Sequence, residues 1–171
     1  VHGIVAERNG GLSVESAVGR GTTFRVYLPA LEEEHTQEAP EEKPALPKGT
    51  ERILWVDDEP MILKLGQRML ERQGYTVESR ASGTDALECF KQDPERFDLV
   101  VTDMIMPGVR GDKLAEEVMA IRRDIPVILS TGYSKHISEE RAAELGIRAF
   151  VTKPLTQQEL ANTVRRVLDE R

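Results

Sequence analysis

The chain has 171 residues, 39% hydrophobic and 31% charged, which suits one domain plus extra and supplies both a core and solubility. Its 30 acidic residues outnumber 23 basic ones, and a net charge of −7 argues against duplex nucleic acid or an anionic membrane as the main partner and favours cations or basic partners. The one cysteine, Cys89, cannot form an internal disulfide; no apolar run approaches the roughly 20 residues of a membrane-spanning helix, and no charged-then-apolar leader is present, so the expected location is cytoplasmic.

The sequence opens at Val1 rather than at Met and reads as part of something longer. Residues 1–30, VHGIVAERNGGLSVESAVGRGTTFRVYLPA, have a helix-like start, Gly10-Gly11, a β-like SVES, a turn at VGRG and a second strand TTFRVYLP. This predicts a helix tail followed by a β-hairpin. A ribbon carrying Val14, Phe24, Val26, Tyr27 and Leu28 cannot bury its apolar face alone. It must pack on the rest of the chain, pair with another copy as a homodimer, or stay disordered. Residues 31–50, LEEEHTQEAPEEKPALPKGT, hold six Glu, three Pro and two Lys without apolar periodicity, an acidic Pro-rich linker composition.

From residue 51 to 171 the pattern alternates. Ile53 to Val56, Leu99 to Thr102, Val127 to Ser130 and Ala149 to Thr152 are short β-branched or aliphatic runs, as in parallel strands buried on both faces. Residues 76–80, TVESR, are more polar and suit an edge strand. Between them lie helical spacings: Ile62, Leu65 and Met69; Leu87 and Phe90; Leu114, Val118 and Ile121; Leu160, Val164 and Val167. Thr156 with Glu159 makes a capping-box pattern, and Gly74 and Gly146 stand where helix ends favour a positive φ. Five strands and five helices in this order predict an α/β fold, a doubly wound parallel sheet whose ligands bind at the carboxyl ends of the strands.

At those ends stand Asp57 and Asp58, then Asp103, then Ser130, Thr131 and Gly132, then Lys153 and Pro154. Three carboxylates on one rim repel by roughly 4 kcal/mol per pair at about 4 Å and an effective dielectric near 20. A hard divalent cation offsets this, and few protein carboxylates with open positions suit Mg²⁺ rather than caged Ca²⁺. No Cys or His cluster supports zinc. One oxygen of Asp103 then stays free as a nucleophile toward phosphorus, with Lys153 neutralising the arriving charge and Thr131 donating a hydrogen bond. Any one of these residues alone reads as a helix cap or solvated turn. Their joint placement on four strand ends reads as a site.

The segments ILWVDDEP, DLVVTDMIMPGVRG, PVILSTGY and AFVTKP resemble, in order and spacing, the response-regulator receiver domain. The resemblance implies a flavodoxin-like sheet of order 2-1-3-4-5, with Asp103 taking a phosphoryl group from the phosphohistidine of a histidine kinase. It implies Mg²⁺ held by Asp57, Asp58, Asp103 and the backbone carbonyl of Ile105. It also implies a switch in which Thr131 moves toward the phosphoryl group and Phe150 turns into the space vacated, reshaping the face of the fourth helix, fifth strand and fifth helix. Phe150 fits an apolar strand equally well as plain core. Pro154 matches a cis-proline. GTTF and the LP ending in residues 1–30 resemble the end of a sensor histidine kinase's ATP-binding domain, whose nucleotide-binding boxes are not in this chain. The implied order of kinase end, linker and receiver is that of a hybrid histidine kinase, handing phosphate to a histidine phosphotransfer protein or regulating the kinase.

Two departures stand out. Arg110 replaces an Asp often found in the loop after the acceptor, and Ile105 and Tyr133 occupy positions flanking the path of hydrolytic water, where their bulk is expected to prolong phosphorylation. Two other classes remain open: a pseudo-receiver that binds protein without taking phosphate, and a phosphohydrolase, which usually needs an acid-base Asp where Ile105 stands. A P-loop enzyme is excluded by the absence of GxxxxGK[ST]. His2, His35 and His136 are isolated in sequence, and Met104 and Met106 read as packing. No DNA-binding module follows within the chain, which points away from direct transcriptional output.

Overall fold

The computed structural model describes residues 2–30, 45–132 and 145–170. The chain divides into two compact units, Val1–Lys43 and Pro44–Arg171.

The first unit has helix α1 (His2–Glu7) and the antiparallel strands β1 (Gly11–Ala17) and β2 (Gly21–Tyr27), paired from Gly11 opposite Tyr27 to Ala17 opposite Gly21. The helix and hairpin thus fall where the sequence pattern put them. Alternation along this register sets Leu12, Val14, Phe24 and Val26 on one face and Ser13, Glu15, Thr23 and Arg25 on the other. On the second face Arg25 pairs with Glu15 at 2.5 Å. A Cβ on Gly10 would stand 2.5 Å from the Tyr27 carbonyl oxygen and 2.9 Å from Val5, so only glycine lets the helix turn back over the ribbon.

The second unit is built on β3 (Arg52–Val56), β4 (Thr76–Arg80), β5 (Leu99–Asp103), β6 (Val127–Thr131) and β7 (Ala149–Thr152), interleaved with α2 (Pro60–Glu71), α3 (Gly83–Gln92), α4 (Gly111–Ile121) and α5 (Gln157–Asp169). All neighbouring strands are parallel, in the order β4-β3-β5-β6-β7, which is the 2-1-3-4-5 order expected of this unit. The helix expected between β6 and β7 coincides with residues 133–144, outside the described residues. Each central strand feeds two cores. Leu54, Val56, Val100 and Leu129 face a cluster with Phe90, Leu114 and Val118 of α3 and α4. Ile53, Trp55, Val101 and Ile128 face a second with Leu70, Leu160 and Val164 of α2 and α5. Burial on both sides explains why these strands read as continuous apolar runs, and TVESR, half-buried, lies at the edge.

The helix termini follow local chemistry with one departure. Ser82 accepts from the Asp85 N–H at 3.1 Å to cap α3, and Gly74 and Gly146 have φ of 97° and 76°. Thr156 accepts from the Glu159 N–H at 3.3 Å, but the Glu159 carboxylate accepts from the Thr152 N–H at 3.1 Å, so it ties α5 to β7 instead of closing the capping box. A 3-10 turn at Pro94–Arg96, which the pattern did not suggest, is held by the Arg122 guanidinium donating to the carbonyls of Pro94 (2.8 Å) and Phe97 (2.7 Å). At the opposite edge from the strand ends, the Gly49 N–H donates to the Gln73 carbonyl at 3.0 Å, and Arg165 of α5 reaches Glu51 at 2.9 Å. Among the described residues no helix is long and apolar enough to cross a membrane.

Candidate functional site

β3, β5 and β7 carry their chain ends to one place. Asp57 follows β3, and its N–H donates to the Arg80 carbonyl at 3.2 Å, which prolongs the sheet pairing by one residue. Its Oδ1 accepts from the Glu59 N–H at 2.9 Å, turning the chain into α2, which starts at Pro60. Asp103 ends β5, and the Met104 N–H continues the ladder to the Ser130 carbonyl at 2.9 Å. Beyond β7 the Lys153 N–H donates to the Thr131 carbonyl at 2.8 Å, and the Lys153–Pro154 peptide is cis, as the sequence suggested.

Here the side chains converge. Carboxylate oxygens of Asp57, Asp58 and Asp103 lie within 4.8 Å of one another. The Lys153 ammonium stands 3.0 Å from Asp57 Oδ2, 3.2 Å from Asp103 Oδ1 and 3.5 Å from Glu59 Oε1. Asp57 is fully buried and Asp103 nearly so. Burial pushes both carboxyl groups above the ordinary carboxylate range; for each the Lys153 charge works the other way without cancelling it, and for Asp103 the neighbouring Asp57 adds to the rise. Burial pulls the Lys153 ammonium down, but Asp57 and then Asp103 outweigh it and leave it above its usual value. One cation is therefore shared among more negative charge than it can satisfy. Three hard oxygen donors with a charge deficit fit Mg²⁺ in type and number.

The other residues singled out from the sequence lie around this group without joining it. Thr131 ends β6, and its hydroxyl donates to the Gly132 carbonyl at 2.8 Å. Phe150 sits opposite Leu129 in β7, half-buried against the α3/α4 core, so strand alternation places it on the same sheet face as Thr131. Ile105 is exposed just past Asp103. Tyr133, His35 and His136 lie outside the described residues. Met104 and Met106 are buried in the core.

One residue near this group is not singled out by the sequence. Glu59 was passed over because an acidic residue at a helix start is common, and only the arrival of Lys153 from β7 gives it a partner. Ser130, which the sequence marks only as a strand-end group, lies opposite Asp103 in the β5–β6 register, is fully buried, and has no hydrogen-bond partner for its hydroxyl among the described residues.

A family model described as the response regulator receiver domain matches residues 53–165. The chain is 34% identical over 178 residues to the sensor kinase CckA of Brucella abortus (strain 2308), covering 99% of this chain and 19% of that protein. It is 30% identical to the sensor protein EvgS of Escherichia coli (strain K12), covering 90% of this chain and 13% of that protein. The chain thus spans less than a fifth of these sensor proteins. Among solved structures, a receiver domain protein from Clostridium thermocellum has a TM-score of 0.66 at 30% identity, covering 70% of this chain and 95% of that one. The receiver domain of the hybrid histidine kinase CckA has a TM-score of 0.58 at 30% identity, covering 68% and 98%. A two-layer-covered parallel sheet, an acidic cluster with a lysine at its strand ends and a family match over some two thirds of the sequence agree, and the chain belongs to the response regulator receiver domain family of two-component signalling.

Proposed function

We propose that residues 51–171 accept a phosphoryl group from a phosphohistidine onto Asp103 in a Mg²⁺-dependent reaction. The observation that carries this reading is the Lys153 ammonium standing between buried Asp57 (3.0 Å) and Asp103 (3.2 Å) beside Asp58. A carboxylate oxygen of Asp103 attacks phosphorus while the N–P bond breaks and the imidazole leaves with the electron pair. Asp57, Asp58, Asp103 and the Ile105 carbonyl would hold Mg²⁺, which would supply neutralisation of the negative charge at the site. Lys153 loses an Asp103 oxygen as partner when that oxygen bonds to phosphorus, and it pairs with a phosphoryl oxygen in its place. The Thr131 hydroxyl exchanges the Gly132 carbonyl for a phosphoryl oxygen by rotation about χ1. Phe150, on the same face of the sheet and incompletely buried, turns inward as Thr131 moves.

In this reading residues 1–30 are the end of a kinase ATP-binding domain, 31–50 an acidic linker and 51–171 the receiver of a cytoplasmic hybrid histidine kinase. The near-complete alignment with a sensor kinase, which includes the hairpin, supports this layout. The donor is a histidine kinase's phosphohistidine, and a histidine phosphotransfer protein is the onward acceptor. Labelling with acetyl phosphate and Mg²⁺, read by intact mass, tests the chemistry. One phosphoryl group is expected on the wild type and none on Asp103→Asn or after chelation. An unlabelled wild type would leave the chain a binding module only.

A further inference from the structure

Glu59 has no assigned task, yet its position is closely defined. It caps α2 with extended backbone (φ −83°, ψ 111°), its N–H donates to Asp57 Oδ1 at 2.9 Å and its carbonyl accepts from the Leu63 N–H at 2.9 Å. Its side chain makes no capping hydrogen bond. Instead Oε1 lies 3.5 Å from the Lys153 ammonium, and the side chain is 64% exposed. The carboxylates that converge as cation donors are Asp57, Asp58 and Asp103, without Glu59.

Lys153 therefore has three carboxylates within reach, two of which belong to the cation set. An ammonium and a divalent cation compete for the same oxygens, because each is stabilised by the negative charge the other would neutralise. With only Asp57 and Asp103 to bind, Lys153 would oppose the cation's entry. Glu59 gives it an anion on the solvent side that the cation does not use, and the ammonium's three donors allow it to shift without breaking all contacts.

We propose that Glu59 is a positioning residue for Lys153: it holds the ammonium at the rim while a divalent cation occupies the carboxylates, lowering competition between the two positive groups. The inference rests on the reading of the cluster as a cation-dependent phosphoryl acceptor. An exposed carboxylate–ammonium pair has little net strength in isolation, but cation affinity reports the difference in that pair between the two states.

The test is Mg²⁺ titration of the full chain by calorimetry, followed in parallel by the fluorescence of Trp55, the chain's single tryptophan. Glu59→Gln and Glu59→Asp, the latter charged but too short to reach Lys153, are both expected to weaken Mg²⁺ binding about fivefold, the size of an exposed-pair coupling. In a Lys153→Met background, Glu59→Gln is expected to have no further effect. Lys153→Gln serves the same purpose if the Met variant fails to fold. Unchanged affinity in Glu59→Gln overturns the proposal, as does a fivefold loss that persists without Lys153, because Glu59 would then act directly on the cation. A wild type that binds no Mg²⁺ removes the underlying reading and the proposal with it, and is distinguishable from both.

Discussion

Gly111 approaches Asp103 so closely that a Cβ on the glycine would stand 2.1 Å from the Asp103 carbonyl oxygen and 2.9 Å from its carbonyl carbon. The Gly111 N–H also donates to the Met104 carbonyl at 3.0 Å. The start of α4 is thereby pressed against the peptide that follows Asp103. A methyl group there meets backbone, which cannot move aside as a flexible side chain would.

Gly111→Ala is accordingly expected to destabilise the receiver by about 2–4 kcal/mol, in the range of a severe overpacking, and to slow phosphorylation by shifting Asp103. Denaturant unfolding and acetyl phosphate labelling measure the two effects. Gly132→Ala provides the comparison: its Cβ would meet nothing within 4 Å among the described residues, and its stability cost should stay under about 1 kcal/mol.

Asp103→Asn should make the Mg²⁺-free protein more stable at neutral pH, by on the order of 1 kcal/mol. The carboxyl is pushed above its usual value by burial and by Asp57, so the folded state binds its proton more tightly than the unfolded state does. Stability contributed by this group then falls as pH rises from the unfolded to the folded value, and the ionised form carries the penalty at neutral pH. Thermal unfolding with and without Mg²⁺ checks the sign: the cation should raise the melting temperature of the wild type more than that of Asp103→Asn. Equal shifts in both would contradict the charge-deficit account.

Glu78 has the opposite linkage. Burial opposes its ionisation, but the Cys89 thiol, Arg80 and Arg96 more than compensate and hold its carboxyl below the ordinary 4.5. Its contribution is present above the unfolded value and lost as pH falls through the lowered one. Glu78→Gln should cost about 1 kcal/mol at neutral pH, and the gap to wild type should close in acid below the ordinary carboxylate range. Urea unfolding at several pH values gives this directly; a gap independent of pH would assign the loss to packing.

Ile105 stands exposed two residues past Asp103, and under the proposed reaction its bulk is expected to obstruct hydrolytic water. Replacing it and its expected counterpart together, as Ile105→Asn with Tyr133→Glu, should shorten the life of the phosphorylated protein severalfold. Following phosphoryl loss by intact mass decides it. Rapid loss from the wild type, unaltered by the double substitution, would dismiss the shielding role.

The strands of the five-stranded sheet were legible to within one residue, the central ones because burial on both faces leaves uninterrupted runs such as Ile53 to Val56, whereas the hairpin strands differ by up to two residues at an end; the candidate site could be read because its groups stand at the ends of the central runs. What escaped depends on distances the chain order hides. Glu59 reads as one more acidic residue at a helix start until β7 delivers Lys153 to it. Glu159 was expected to close a cap and instead bonds to Thr152, a choice made by the packing of α5 on β7. The Thr131 hydroxyl engages Gly132, a rotamer preference that residue identity does not encode. The 3-10 turn at Pro94–Arg96 owes its shape to Arg122, far away in sequence.

The bonds from Gly49 to Gln73 and from Arg165 to the Lys48 carbonyl and to Glu51 have a practical corollary for anyone excising or transplanting this receiver. The stretch just before the first sheet strand is anchored to the body of the fold and cannot be treated as spare tether. A cut at residue 51 would strip away ordered chain, taking the Gly49 N–H from the Gln73 carbonyl and the Lys48 carbonyl from Arg165, which would keep Glu51 and Asp169; the seam belongs upstream, before Pro47.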